Sequence, residues 1–166
     1  MENMNIKKTM CNSTPNGGVC DRHLFLGCSE IKSSISDKIK LDFDEIIKKI
    51  KKIDFGKIDS VVAISRGGIV PGALIANLLN VDFHIININF RDDCHKEKYE
   101  APRLLGKIDF NFINKNILLV DDVSRTGKTL NFAKDLLKTN VKTFVINGIA
   151  DYSLYNYKEC LIFPWN

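Results

Sequence analysis

The chain has 166 residues, of which 45% are hydrophobic and 27% charged, and its formal net charge is +4. This length and composition suit a single globular domain with a substantial core, and they exclude a disordered or fibrous chain. The lysines between residues 38 and 57 lie largely on one amphipathic segment. A solvated helix face explains them, so we expect no nucleic-acid partner and keep anionic small molecules as candidate ligands.

The apolar runs and the cysteines indicate a cellular compartment. The longest apolar runs, such as Ile117 to Val120, are far shorter than the roughly 20 residues that a membrane span needs. The first ten residues are polar and have no apolar segment behind them, unlike a secretory signal. Five cysteines, an odd number, suit reduced thiols better than a disulfide framework. We therefore expect a cytoplasmic protein without membrane contact.

Residues 1–37 differ from the rest of the chain. They are rich in Asn, Ser, Gly and Cys and show no sustained periodicity, which predicts an irregular N-terminal extension before a folded domain at 38–166. Three thiols and one imidazole in this extension could in principle hold zinc, but their spacing matches no compact metal motif. These residues are Cys11, Cys20, His23 and Cys28.

From residue 41 onward, helical and strand-like patterns alternate. Asp42 and Glu45 have the spacing of a capping box. Apolar residues then recur at helical intervals or in short β-branched runs. In chain order the predicted elements are a helix (42–53), a strand (58–64), a helix (69–79), a strand (83–90), a strand (116–120), a helix (128–138) and a strand (142–146). This alternation predicts a parallel α/β sheet with its ligands beyond the carboxyl ends of the strands.

The charged stretch 91–100 follows the second predicted strand and is expected to be a mobile loop. Four of its side chains are of types that can hold metals, but a solvated loop is the simpler interpretation of the group. They are Asp92, Asp93, Cys94 and His95.

The segment 121–129, Asp-Asp-Val-Ser-Arg-Thr-Gly-Lys-Thr, carries the strongest functional signal. Backbone N–H groups in a Gly/Thr turn at a helix N-terminus bind phosphate, and Thr126 and Thr129 can add hydroxyl donors. Asp121 and Asp122, just ahead of the turn, are well placed to accept hydrogen bonds from a ribose diol. A ribose 5-phosphate presents both groups side by side.

Two other interpretations fit this segment less well. Its ending, Thr126 to Thr129, looks like the phosphate loop of NTPases, but that motif needs a glycine where this chain has Asp122, which would repel the phosphates. An ordinary strand-to-helix turn with acidic caps would hold two carboxylates at the end of a buried strand, which is costly unless they are used. The sugar-phosphate site is the favoured interpretation.

The stretch from Ile117 to Leu130, a hydrophobic strand followed by two acids and Thr-Gly-x-Thr, resembles the phosphoribosyl-pyrophosphate motif of type I phosphoribosyltransferases. Val61 to Pro71 resembles the pyrophosphate loop of the bacterial and archaeal xanthine-guanine (hypoxanthine) branch. The resemblance implies an α/β fold with a parallel sheet, helices on both faces and a small C-terminal hood.

The resemblance also implies roles for individual residues. The catalytic set would be Asp121, Asp122 and Arg125, and the two carboxylates would also face the metal. Binding of phosphoribosyl pyrophosphate is assigned to Asp121, Asp122, Ser124, Arg125, Thr126, Gly127, Lys128 and Thr129. Pyrophosphate binding is assigned to Ser65, Arg66, Gly67, Gly68 and Arg103, and family members often have a non-proline cis peptide in this loop. Base binding is assigned to Cys160, Leu161 and Trp165.

The implied reaction displaces pyrophosphate from C1 of the ribose by a base nitrogen, with positive charge developing on the sugar. A purine is the favoured base, Mg²⁺ is the implied cofactor, and self-association is implied by analogy. No covalent nucleophile is needed, because charge placement, the metal and exclusion of water stabilise the transition state.

The base side departs from the family pattern. Purine-salvage members have an aspartate at the position of Arg125, and arginine cannot act as a base at neutral pH. They also have a lysine within the segment matching 147–150, an aromatic residue at Cys160, and an acid after Trp165, where this chain has Asn166. These differences keep open a second interpretation, a non-catalytic regulatory protein that binds a phosphoribosyl ligand or nucleotide.

The sequence is compatible with two roles for each of three side chains. Arg125 contacts a phosphate or pairs with Asp121. Arg103 reaches the pyrophosphate when the loop closes or is an ordinary surface residue. Trp165 belongs to the hood or simply packs beside Pro164.

Overall fold

The computed structural model describes residues 38–90 and 99–165. In chain order the elements are β1 (Ile39–Lys40), α1 (Phe43–Ile50), β2 (Ser60–Ser65), α2 (Ile69–Leu79), β3 (Asp82–Asn89), β4 (Arg103–Leu104), β5 (Asn116–Ser124), α3 (Lys128–Leu137), β6 (Asn140–Gly148), β7 (Tyr152–Tyr155) and β8 (Leu161–Ile162). None of these helices is long and apolar enough to cross a bilayer.

Six strands form the main sheet in the order β4-β3-β2-β5-β6-β7. All neighbours pair in parallel except β3 with β4, which are antiparallel. The predicted parallel α/β sheet is therefore confirmed. Because parallel strands end at the same edge of a sheet, the segments that follow β2, β5 and β6 meet at one side of the domain.

Alternate residues of the central strands enter two different cores, because successive side chains of a strand point to opposite faces. In β5, Leu118 and Val120 pack with side chains of α1 and α2. Ile117 and Leu119 pack with side chains of α3. The helices cover both faces of the sheet, as the resemblance implied.

Helix α1 begins at the predicted cap and ends early. The Asp42 side chain accepts a hydrogen bond from the backbone N–H of Glu45 at 2.9 Å. The prediction extended this helix to Ile53, but the backbone N–H groups of Lys52 and Ile53 donate to carbonyls three residues back. This tighter turn takes the chain out of the helix after Ile50.

The C-terminal segment returns to α1 and builds the hood. β1 and β8 form a separate two-stranded parallel sheet, with Ile39 opposite Leu161. The Tyr155 hydroxyl donates to the Glu45 carboxylate at 3.0 Å. The hood is therefore assembled from two segments that are far apart in the sequence.

Some sequence-based interpretations concern residues outside the described ranges. They are the possible zinc ligands Cys11, Cys20, His23 and Cys28, the group Asp92 to His95, and Asn166.

Candidate active site

A cleft of about 1260 Å³ opens at the carboxyl ends of β2, β5 and β6. Its walls come from the turns after those strands and from the hood. Most of the residues assigned from the sequence line it, namely 65–67, 121, 122, 124–129, 160, 161 and 165. The structure thus brings together the assigned phosphate, pyrophosphate and base segments, which lie up to a hundred residues apart.

The acidic pair lies inside β5. The strand was predicted to end at Val120, but it continues to Ser124, with Asp121 opposite Val145 of β6. Each carboxylate accepts a hydrogen bond from the next backbone N–H, Asp121 from Asp122 at 2.9 Å and Asp122 from Val123 at 2.7 Å. The pairing with β6 and these bonds fix the two side chains at the floor of the cleft.

The two carboxylates are electrostatically costly together. Burial raises the pKa of Asp121 well above its usual range, and the charge of Asp122 raises it further. The hydrogen bond from the Asp122 N–H lowers the pKa of Asp121, but it does not offset the other two effects. A ligand that brings hydroxyl donors or a cation to this pair would relieve the repulsion.

Two adjacent glycines let the turn after β2 lie directly against β5. A Cβ at Gly67 would overlap the Asp122 carboxylate. Gly68 lies behind the cleft wall, where a Cβ would overlap the Val120 carbonyl. The peptide bond between Ser65 and Arg66 is cis, as the resemblance implied.

The turn from β5 into α3 has the geometry of an anion site. Gly127 precedes α3 with a φ of 71° and no side-chain cap. The first N–H groups of a helix have no partners within it, so those at the start of α3 can bind an anion beside the helix dipole. Ser124 is only 6% exposed, and its hydroxyl has no hydrogen-bond partner among the described residues.

Gly148 on β6 supports this turn from the side. Its φ is +110°, and a Cβ there would overlap the Ser124 carbonyl. That carbonyl accepts a hydrogen bond from the Ile149 N–H at 2.8 Å. The end of β5 is therefore held against β6 right up to the turn.

The two arginines singled out from the sequence occupy different places. Arg125 is exposed and lines the cleft. Arg103 lies in β4 with its guanidinium 4.5 Å from the centre of the Tyr99 ring, outside the cleft lining formed by the described residues. A pyrophosphate role for Arg103 stays a prediction.

Trp165 packs against other aromatic rings, and its base-binding role stays a prediction. Its ring stacks on Phe163 with centroids 5.2 Å apart and meets the Phe43 ring edge-on at 6.3 Å. It also lines the cleft, together with the exposed Cys160 and with Leu161 of β8.

The cleft lining also includes residues to which the sequence analysis gave no site role, among them Asn89, Asn147 and Tyr157. The side-chain oxygen of Asn89, at the end of β3, is buried and lacks a hydrogen-bond partner in the described part of the chain. Because Asn89 alternates with the apolar Ile88, the sequence predicted a strand here, but the pattern did not indicate that Asn89 contacts a ligand. Tyr157 lines the hood side of the cleft and belongs to no recognisable motif.

A divalent cation could be held here only in part by the protein. Within residues 38–90 and 99–165, no group of three or more His, Cys, Asp or Glu side chains could hold a metal ion. Asp121 and Asp122 offer the oxygen ligands that Mg²⁺ prefers, and its remaining octahedral positions would go to ligand oxygens and water. The donor set therefore fits a cation that is carried on the ligand.

Comparison with known proteins identifies the family. The profile described as "Phosphoribosyl transferase domain" matches residues 32–144. A xanthine-guanine phosphoribosyltransferase of Desulfotalea psychrophila is 34% identical over 142 residues, which cover 78% of this chain and 82% of the relative. A transcriptional regulator, GfcR of Methanococcus vannielii, is 28% identical over 92 residues, which cover 54% of this chain and 44% of the regulator.

A solved structure agrees with this comparison at the level of the fold. The purine phosphoribosyltransferase of Pyrococcus horikoshii superposes with a TM-score of 0.65 at 24% identity, over 78% of this chain and 94% of that one. Because the profile covers more than half of the sequence and a relative of similar length shares a third of its residues, the chain belongs to the type I phosphoribosyltransferases, on the branch of the xanthine-guanine and hypoxanthine-guanine enzymes.

Proposed function

We propose that this phosphoribosyltransferase moves the 5-phosphoribosyl group from phosphoribosyl pyrophosphate to a purine base and releases pyrophosphate. The observation that carries the proposal is the meeting, in one cleft, of the acidic pair of β5, the turn before α3 and the loop after β2. The purine acceptor is supported by the names of two relatives, a xanthine-guanine and a purine phosphoribosyltransferase.

The 5-phosphate binds at the start of α3. The N–H groups of the first helical turn point at the anion, and the Thr126 and Thr129 side chains add hydroxyl donors. The buried Ser124 hydroxyl, which has no partner in the described residues, would donate to the same phosphate. Lys128 lies with its ammonium 5.4 Å from the centre of the Phe90 ring and adds positive charge at the turn.

The ribose lies over the acidic pair. Asp121 and Asp122 accept hydrogen bonds from its two hydroxyls. These hydrogen bonds offset the repulsion between the two carboxylates. As pyrophosphate leaves, positive charge develops on the sugar, and the carboxylates stabilise it because they are already in place.

The pyrophosphate lies against the loop after β2. Backbone amides of Arg66 and Gly67 would face it, in a loop that lies directly against Asp122 because Gly67 has no Cβ. A magnesium ion held by Asp121, Asp122 and the ligand's own oxygens would neutralise charge on the leaving group.

The base occupies the hood side of the cleft, near Cys160, Leu161 and Trp165. Arg125 cannot accept the proton that the attacking nitrogen loses. Water or the departing pyrophosphate must take that proton instead.

The test is a pyrophosphate-release screen with phosphoribosyl pyrophosphate, Mg²⁺ and six bases: hypoxanthine, guanine, xanthine, adenine, uracil and orotate. We expect turnover with at least one purine. Asp122→Asn should lower ligand affinity about tenfold or more, since a charged hydrogen-bond acceptor is lost. Asp135→Asn, on the exposed side of α3, is the matched control and should change nothing. Unchanged affinity in Asp122→Asn would contradict the ribose assignment.

A regulatory protein that binds a phosphoribosyl ligand or nucleotide without turnover is the second candidate. Two observations favour it: Arg125 stands where purine-salvage members have an aspartate, and one relative is named a transcriptional regulator. Measurable binding of phosphoribosyl pyrophosphate with no pyrophosphate release for any base would select this candidate.

The proposal includes self-association in the cytoplasm, without nucleic-acid or membrane partners. Self-association is proposed by analogy with the family. Sedimentation at several protein concentrations tests it, and a monomer throughout would contradict it.

A further inference from the structure

Asn147 ties the end of β6 to the hood. The side chain is only 5% exposed, and both ends of its carboxamide bind the backbone of one residue. The Tyr157 N–H donates to Asn147 Oδ1 at 2.8 Å, and Asn147 Nδ2 donates to the Tyr157 carbonyl at 3.0 Å. The carboxamide thus pairs with Tyr157 as a neighbouring strand residue would, and this fixes the Tyr157 backbone.

The Tyr157 ring is held from a second direction. It stacks on the buried Tyr155 ring with centroids 5.2 Å apart and planes inclined by 22°. Tyr155 is itself anchored on α1, because its hydroxyl donates to Glu45 and the Lys49 ammonium lies 3.8 Å from its ring centre. Two independent contacts therefore set the position of Tyr157.

This fixed ring nevertheless remains open to the cleft. Tyr157 is 41% exposed and lines the cleft on its hood side. Of the residues assigned to the base from the sequence, Cys160 and Leu161 have no ring, and Trp165 is less exposed than Tyr157 because it packs against both Phe163 and Phe43. A preorganised aromatic surface favours a flat heterocycle, because little side-chain entropy is lost on binding.

We propose that Tyr157 supplies the surface against which the acceptor base stacks, and that Asn147 is the residue that positions it. The inference rests on the proposed function and names two residues that act in it. Asn147 is assigned a positioning role because its carboxamide oxygen and nitrogen both bind the Tyr157 backbone.

The experiment compares a ligand without a base to ligands with one. Calorimetry would measure ribose 5-phosphate, GMP, IMP and UMP binding to the full chain and to Tyr157→Ala, Tyr157→Phe and Asn147→Ala. Tyr157→Ala should weaken at least one nucleotide about tenfold or more, the usual effect of losing a stacked ring. Its affinity for ribose 5-phosphate should stay the same.

The conservative and control variants separate stacking from folding. Tyr157→Phe keeps the ring and should retain most of the nucleotide affinity. Asn147→Ala should weaken nucleotides but not ribose 5-phosphate. Asn140→Ala, at the opposite end of the same strand, should leave both unchanged. The same pattern should appear in turnover as a higher KM for the base with an unaltered KM for phosphoribosyl pyrophosphate.

Each contrary result has a distinct meaning. Equal losses of nucleotide and ribose 5-phosphate affinity in Tyr157→Ala would make the ring merely structural and overturn the inference. Nucleotides that bind the wild type no tighter than ribose 5-phosphate would also overturn it while leaving the phosphate site standing. A wild type that binds neither ligand would refute the proposed function itself, and the inference with it.

Discussion

Asp121 and Asp122 illustrate how residues of a proposed binding site can oppose the stability of the fold. Two carboxylates side by side on a central strand repel each other and lose hydration. In return, the cleft floor gains two acceptors aimed at one ligand. Such arrangements are typical of functional sites, where stability is sacrificed for activity.

Asp121→Asn should therefore stabilise the unliganded protein. The folded-state pKa of Asp121 is raised, so ionising this group destabilises the fold increasingly as the pH rises above its unfolded pKa of about 3.9. If the substitution raises the free energy of unfolding by about 1 kcal/mol, the melting temperature at neutral pH rises by about 2–4 °C. The gain should shrink as the pH falls through the unfolded pKa of about 3.9 and vanish well below it, where the carboxyl is neutral in both states.

Thermal melts across this pH range, without ligand, provide the measurement. Asp109→Asn, an exposed aspartate outside the cleft lining, serves as the control. A lower melting temperature for Asp121→Asn at neutral pH would show that the charge contributes favourably to the fold.

Gly67 and Gly68 should respond differently to the same substitution. Gly67→Ala pushes on the Asp122 carboxylate, so we expect about a tenfold or greater loss of phosphoribosyl-pyrophosphate affinity with a nearly unchanged melting temperature. Gly68→Ala pushes on backbone carbonyls of β5 and β2, which cannot rotate away, so it should destabilise the fold by about 1–3 kcal/mol. Ligand affinity and melting temperature measured on both variants would test these two expectations. Equal destabilisation by the two would contradict this division.

Asp59 joins the beginnings of two neighbouring strands. Its carboxylate accepts hydrogen bonds from the Asn116 backbone N–H at 2.8 Å and from the Asn116 side chain at 2.9 Å. The backbone hydrogen bond lowers the pKa of Asp59. These contacts set β2 against β5 at the end opposite the cleft.

Asp59→Ala should lower the urea midpoint of unfolding at neutral pH. A lowered folded-state pKa means that the ionised carboxylate stabilises the fold above its unfolded pKa, and that this stabilisation is lost as the pH falls through the folded value. The midpoints of wild type and variant should therefore converge between about pH 4 and pH 2. A gap that stays constant over this range would assign the effect to packing instead.

The helices and strands show which elements a sequence can specify. The helix Ile69–Leu79 was predicted with the observed bounds, since its apolar residues recur at helical spacing. β5 was predicted four residues short, because aspartates disfavour strands and only the pairing with β6 extends it. β1, β4 and β8 have two residues each, too few for any periodicity to appear.

The two sides of the cleft also differ in how far the sequence alone could predict them. The loops proposed to bind phosphate could be predicted to meet at the cleft because each of them is a contiguous run, as in Ser124 to Thr129. The base side depends on contacts between distant segments, such as that of Glu45 with Tyr155, which lie 110 residues apart. No local pattern encodes such a contact, and so Asn147 and Tyr157 went unnoticed.

Across the whole domain, the strands and the cleft lining that the structure describes are built from residues 38–90 and 99–165. A chain of residues 38–166 should therefore melt within about 2 °C of the full chain, a shift worth less than about 1 kcal/mol, and bind phosphoribosyl pyrophosphate equally well. Melting and calorimetry on both chains would check this. A large loss of either property would move the domain boundary toward the N-terminus.

The pairing of β1 with β8 has a consequence for how the protein is made. The strands and the turn that would grip the sugar phosphate are all translated before residue 149, whereas β8 emerges later. A nascent chain still on the ribosome could thus acquire the anion-binding half first. The hood wall of the cleft forms only when β8 pairs with β1. An incompletely translated chain would therefore retain the half of the cleft that is proposed to bind the sugar phosphate and lack the half that is proposed to receive the base.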